Sequence, residues 1–134
     1  MRYMNFIALC LALGTAGSSL AAEEHALLSS PLTGVRDRQL QAVTVTYAPG
    51  QSSVAHRHGG DVFVYVLSGH LRSQLDGGAL HVYGPGDSWF EPAGAHHVVS
   101  GNASTREPAR FLVVFIAPAT AKLTTLDRPS TARP

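Results

Sequence analysis

The sequence predicts an all-β chain folded as a single-domain antiparallel β-barrel or sandwich. From Leu40 onward, short β-rich runs alternate with glycine-bearing turns at close spacing. Apolar residues at helical spacing with capping residues beside them are nearly absent. A length of 134 residues allows one hydrophobic core and leaves no room for a second.

Taken in order, residues 1–21 read as a signal peptide rather than as part of the fold. Arg2 supplies the early positive charge, and residues 6–17 form an apolar run of about twelve residues, too short to span a bilayer. Small residues follow at Ser19 and Ala21, so cleavage after Ala21 fits the peptidase preference best, and cleavage after Ala22 is the alternative. The expectation is an exported protein, periplasmic or secreted. Cys10, the one cysteine, lies inside the apolar run, so no thiol survives maturation. The core must then hold the fold, helped by a metal or a partner subunit. Loss of Arg2 leaves nine basic side chains against nine acidic ones. A neutral domain is steered neither to nucleic acid nor, once the signal is gone, to a membrane.

Residues 22–38 form an N-terminal segment with one candidate edge strand near 26–30, placed to pair at a sheet edge or across a dimer. The barrel itself spans 39–118. Residues 39–47 alternate, with Val43, Val45 and Tyr47 on one face, and Pro49-Gly50 ends that strand. Residues 61–67 are continuously apolar up to Ser68-Gly69. Strands at 70–75 and 79–83 flank Asp76-Gly77-Gly78, whose glycines accept the positive φ of a hairpin turn. After Gly84-Pro85-Gly86-Asp87 come strands at 88–91, 97–100 and 111–117, with 101–108 as a polar loop. Residues 119–134 read as a C-terminal tail.

His56 and His58 stand two apart in an extended segment, so both rings emerge on one face, ~6.7 Å apart along the strand. A metal held at about 2.0–2.1 Å from each imidazole nitrogen needs a third donor from elsewhere in the chain. The adjacent pair His96-His97 can supply it, with only one of the two facing inward.

Glycines and prolines around these histidines complete two blocks. Gly50, His56, His58 and Gly69 form the first; Gly86, Pro92, Gly94 and His97 form the second. Together they resemble the two motifs of the cupin family, Gly-x5-His-x-His-x3,4-Glu-x6-Gly and Gly-x5-Pro-x-Gly-x2-His-x3-Asn, and cover Gly50 to Asn102. The resemblance implies a small single-domain jelly roll holding one divalent transition metal, Fe, Mn, Ni, Cu or Zn. It also selects His97 over His96 as the third ligand. In that fold the glycines make the turns and the histidines point into the barrel mouth.

Two positions depart from the family pattern. The acidic ligand of the first block falls on Val62, counted back from Gly69, and valine cannot bind a metal. Asp61 is one residue off, and the strand's pleat turns it to the opposite face. The second departure is an extra residue between His97 and Asn102, which a β-bulge or a slightly longer strand absorbs. Glu91 shares parity with the pocket-facing Trp89. Two placements are open to it: inward, as a fourth ligand, a catalytic base or an acceptor fixing an imidazole, or outward, as a strand-end glutamate in solvent. Val62, Val64, Val66 and Trp89 are expected to line the pocket. Phe63 and Tyr65 have the opposite parity and face outward, toward a partner subunit if the protein is a homodimer. His25, His70 and His81 match no ligand position.

Three imidazoles leave coordination positions open, as in catalytic rather than closed structural sites. The resemblance therefore implies a metal-dependent oxidoreductase, such as a dioxygenase, acting on a small molecule. A non-catalytic periplasmic cupin that binds a small ligand or a metal is the alternative, followed by a metal-free scaffold.

Overall fold

The computed structural model describes residues 21–128. All of the expected signal peptide except Ala21, Cys10 included, lies outside them. The described residues form ten strands and no helix: β1 (Glu23–Pro31), β2 (Arg38–Tyr47), β3 (His56–His58), β4 (Asp61–Ser68), β5 (Leu71–Leu75), β6 (His81–Tyr83), β7 (Ser88–Glu91), β8 (His96–Asn102), β9 (Ala109–Pro118) and β10 (Thr124–Leu126). They pair antiparallel into two five-stranded sheets, with order β1-β2-β9-β4-β7 in the first and β10-β3-β8-β5-β6 in the second. From β2 onward the chain changes sheet at every connection except the β5–β6 hairpin. This is the jelly-roll arrangement.

The expected barrel does not close. No ladder joins the edge strands of one sheet to those of the other among the described residues. The reason lies in strand length: β6, β7 and β10 have three or four residues each. Strands so short cannot carry hydrogen bonding around the corner, and side chains hold the two sheets together instead.

Alternation sets which faces meet. In β4, Val62, Val64 and Val66 are buried while Phe63 and Tyr65 are exposed. Val45, Tyr47, Phe111, Val113 and Phe115 add the inner faces of β2 and β9, and Leu71 comes from the opposing sheet. Each large apolar side chain buried here contributes about 1.5–3 kcal/mol. Gly69 makes one of the sheet changes possible. Its φ of 73° is left-handed, and a Cβ there would overlap the Pro108 carbonyl.

Both chain ends add strands. β1 is the edge of the first sheet and pairs along β2 from Glu23↔Thr46 to Pro31↔Gln39. β10 falls in the stretch expected as a trailing tail. It pairs with β3 through Thr124↔His58, Thr125↔Arg57 and Leu126↔His56. The extra residue between His97 and Asn102 is a bulge in β8, where Leu75 faces His97 but Gln74 faces Val99. Asn102 then sits buried, donating to the carbonyls of Glu107 at 2.7 Å and Ala48 at 3.1 Å and accepting from Ser104 N–H at 2.9 Å. Those bonds fix the loop between β8 and β9.

Candidate metal centre

His56 and His97 are cross-strand partners in β3 and β8, and His58 lies two residues along the same face of β3. Ring centroids stand 4.7 Å apart for His56 and His58 and 4.9 Å for His56 and His97. One ligand atom from each of the three comes within 4.8 Å of the others. His96 points away from this cluster and bonds Asp127 on the outer side, at 2.8 Å.

The remaining ring nitrogens are held from behind. His56 Nδ1–H donates to the Val54 carbonyl at 2.8 Å, and His58 Nδ1–H donates to the Leu123 carbonyl at 3.0 Å, with Thr124 Oγ1 at 3.2 Å. A carbonyl only accepts, so both rings carry their proton on Nδ1 and offer Nε2 inward. His97 is reversed. Its Nε2 bonds Ser73 Oγ at 2.8 Å, and its Nδ1 is buried without a hydrogen-bond partner.

Glu91 reaches the same cluster from the first sheet. It is 2 % exposed and is the cross-strand partner of Val62, so the acid missing at Val62 stands one strand over, on the same inner face. Asp61, by contrast, is exposed and accepts the Ala93 N–H at 2.9 Å. Glu91 Oε1 accepts the Trp89 indole N–H at 2.8 Å and lies 3.3 Å from His97 Nδ1. Its Oε2 is 3.7 Å from His58 Nε2 and has no hydrogen-bond partner. Buried polar atoms are seldom left unpaired, so His97 Nδ1 and Glu91 Oε2, two orphans from opposite sheets, mark a place for an electrophile.

Charge state agrees with that placement. Burial, with the neighbouring His56 ring adding to it, pushes the His58 imidazole down to about 4. Burial, followed by the His56 and His58 rings, pushes His97 down to about 3. Both are neutral at pH 7, the form that ligates a metal, so their approach to Glu91 is not an ion pair. Burial raises the Glu91 carboxyl, partly countered by the Trp89 hydrogen bond. A divalent cation would favour the carboxylate form. The donor set, three imidazoles and an adjacent carboxylate, fits one such ion.

The cluster opens into a cavity of about 100 Å³ between the sheets, room for several waters or a small ligand. Val62, Val64 and Trp89 line it, with Val43, Val113 and Phe115 completing the apolar wall. Val66 does not line the cavity; it is sealed in the core. Trp89 stacks on Tyr83 across the open side of the sandwich, with centroids 4.3 Å apart and planes at 22°. Sequence reasoning gave no site role to five contributing residues: Ser73 behind His97, Leu123 and Thr124 behind His58, and Tyr47 and Ser100, whose hydroxyls meet at 2.9 Å in the cavity wall. Only Tyr47 left a signal, through its shared parity with Val45. His25, His70 and His81 lie outside the cavity.

A jelly roll with inward histidines on β3 and β8 defines a small β-sandwich whose three histidines are placed close enough to hold a metal. The chain belongs to the cupin family: the Cupin domain model matches residues 43–115. Comparison with functionally curated proteins gives no match. Among solved structures, the DMSP lyase DddQ from Ruegeria pomeroyi DSS-3 is similar at TM-score 0.67 and 22 % identity, over 88 % of this chain and 60 % of that one. A conserved protein with a double-stranded β-helix domain from Klebsiella pneumoniae superposes at 0.61 with 24 % identity, covering 81 % of this chain and 85 % of its own. TT1209 from Thermus thermophilus reaches 0.58 with 30 % identity, over 72 % of this chain and 83 % of its own. The chain spans less than two thirds of the DMSP lyase chains it matches, 44 % of one and 60 % of another. Those low-identity likenesses show the fold.

Proposed function

We propose that this cupin is an exported, metal-dependent enzyme acting on a small molecule, with an oxygen-using oxidoreductase, such as a dioxygenase, as its reaction class. His56, His58 and His97 hold one Fe, Mn, Ni, Cu or Zn ion, and Glu91 serves as fourth ligand or as base. The observation that carries the reading is the pair of buried, unpartnered atoms, His97 Nδ1 and Glu91 Oε2, converging on an apolar cavity. A bound ion supplies a Lewis-acid centre with open positions. The valines give the site an apolar wall, and the Trp89 indole holds one Glu91 oxygen and leaves the other toward the cluster. Elemental analysis of the mature protein, followed by oxygen uptake with candidate small molecules, tests this directly. Absence of stoichiometric metal overturns it.

A lyase is the second reading, and Glu91 is what favours it. A buried carboxylate with raised proton affinity is suited to take a proton from a substrate. Similarity in fold to DMSP lyases is consistent with that class. Product without oxygen uptake would decide for it, and thermal stabilisation by a ligand that is never converted would decide for a binding protein. Export rests on the apolar run at 6–17 followed by Ser19 and Ala21. N-terminal sequencing of protein recovered outside the cytoplasm should begin at Ala22 or Glu23.

The reading includes a second copy of the chain as partner. Phe63, Tyr65, Phe90 and Ile116 lie exposed on the outer face of the first sheet. Asp61 and Arg110 sit at opposite ends of the β4–β9 ladder. A two-fold pairing buries the aromatic patch and sets Asp61 of one protomer against Arg110 of its partner. Sedimentation equilibrium should find a dimer, and Phe63→Glu should leave a monomer that still binds metal.

A further inference from the structure

His58 is the least supported of the three imidazoles by its own sheet. β8 pairs with β3 only at His56 and Arg57, so the cross-strand partner of His58 is Thr124 of β10 and nothing in β8. The same segment supplies every polar contact behind the ring. Leu123 carbonyl accepts from His58 Nδ1–H at 3.0 Å and also from Gly59 N–H at 3.1 Å, and Thr124 Oγ1 lies 3.2 Å from the same ring nitrogen. Gly59 is what lets the segment come so close, because a Cβ there would overlap the Lys122 carbonyl. Beyond β10 the segment is clasped again. Asp127 N–H donates to the Ala55 carbonyl at 2.8 Å, and its Oδ2 meets His96 Nε2 at 2.8 Å, on the outward side of the residue next to His97.

We propose that residues 119–128 are a positioning element of the metal centre: Leu123 and Thr124 fix the tautomer and direction of His58, and the Asp127–His96 contact clasps the segment to β8. The inference rests on the reading of His58 as a metal ligand. Physically, an imidazole whose outer N–H is held by a carbonyl offers its other nitrogen at a set angle, and outer partners of this kind change metal affinity by about 10–100-fold when lost. The site is therefore built from three stretches of chain in the second sheet, β3, β8 and the last described strand, with Glu91 opposite.

Four full-length variants test it: Gly59→Ala, which pushes the Lys122–Leu123 backbone off the ring, Thr124→Val, Thr124→Ser and Asp127→Asn. Two readouts are used, Co(II) titration followed by visible absorption, and long-range proton–nitrogen NMR of the metal-free protein, which reports the tautomer of each histidine. The wild type should show His58 as the Nδ1–H tautomer. Gly59→Ala should mix the tautomers of His58 while leaving His56 unchanged, weaken Co(II) binding by about tenfold or more and alter its absorption bands. Thr124→Val should do the same to a smaller degree, Thr124→Ser should restore wild-type behaviour, and Asp127→Asn should weaken binding by a few-fold. Wild-type tautomers, bands and affinity in folded Gly59→Ala and Thr124→Val would overturn the proposal. If Gly59→Ala does not fold, Thr124→Val and its serine rescue decide alone. A wild type that binds no Co(II) but holds His58 in one tautomer defeats the metal reading, a different outcome from failure of the positioning role.

Discussion

The two sheets face each other across the same cavity and do different work. In the first, β1, β2, β4 and β9 run for eight to ten residues each and pair in long registers, and the inner faces of β2, β4 and β9 carry valine, tyrosine and phenylalanine. In the second, β3, β6 and β10 have three residues each, and the inner face carries histidine and serine. Long ladders bring cooperative burial, so the first sheet should set stability. Short strands are placed by turns, bulges and side-chain bonds, so the second should set ligand geometry. Glu91 is the exception, a polar group set into the apolar wall directly opposite the histidines.

The largest expected effect separates the sheets most sharply. His97→Ala removes the ring at the centre of the cluster, cross-strand to His56 and hydrogen-bonded to Ser73. Metal content, measured by elemental analysis after dialysis, should fall from stoichiometric to background, while the unfolding midpoint of the metal-free protein stays close to wild type. A variant that kept its metal would show that the second sheet does not hold the site.

Phe111→Ala makes the opposite cut. Phe111 is buried in the first sheet against Tyr47, with ring centroids 5.2 Å apart. Its removal should cost about 3–5 kcal/mol in urea unfolding. The folded fraction should still take up metal. Loss of metal together with stability would mean that the two sheets are not separable in this way.

How much of this division could be read from the sequence differs between the sheets for the same reason. Long alternating runs announce themselves, so the inner valines of β4 and the faces of β2 and β9 were legible. Motif spacing chose His97 over His96 and left a bulge or a longer strand before Asn102, of which the β5–β8 register shows the bulge. β10 was not legible: Thr124-Thr125-Leu126 is too short to show a period, and only its ladder with β3 makes it a strand. Turn spacing left barrel and sandwich both open, because it gives strand number and not whether edges meet, and the sheet order decides for the sandwich. Glu91 was legible as an oddity of parity. That it stands beside Val62 on the neighbouring strand required the register Val62↔Glu91.

A smaller effect comes from pH. His58 and His97 are lowered from 6.5 to about 4 and about 3 in the folded, metal-free protein. Lowered imidazoles contribute stability that is present above their unfolded value and is lost as pH falls toward the folded ones, because the unfolded chain takes up the protons first. Glu91, raised, acts in the other sense, and its contribution is lost as pH rises through its folded value. With two rings against one carboxyl, the metal-free protein should lose stability as pH falls from 6.5 to about 4, followed by urea midpoints. His58→Gln should flatten that slope. A slope unchanged in His58→Gln would place the proton uptake elsewhere.

The smallest expected effect lies at a point where the sheets share a side chain's work. Trp89 belongs to the first sheet, stacks on Tyr83 of the second and donates its indole N–H to Glu91 Oε1. Trp89→Phe keeps an aromatic face for the stack and removes only the donor. Loss of one hydrogen bond to a carboxylate costs about 1.5–3 kcal/mol when the group stays buried, and part of that is recovered if water enters. The metal-free variant should therefore show a higher Glu91 proton affinity, visible in carboxyl-carbon NMR titration, since the bond that lowers it is gone. Metal affinity should fall by less than in His97→Ala, because the carboxylate is still present but less fixed. Should Trp89→Phe leave both the Glu91 titration and the metal affinity unchanged, Trp89 would be a wall of the cavity and nothing more.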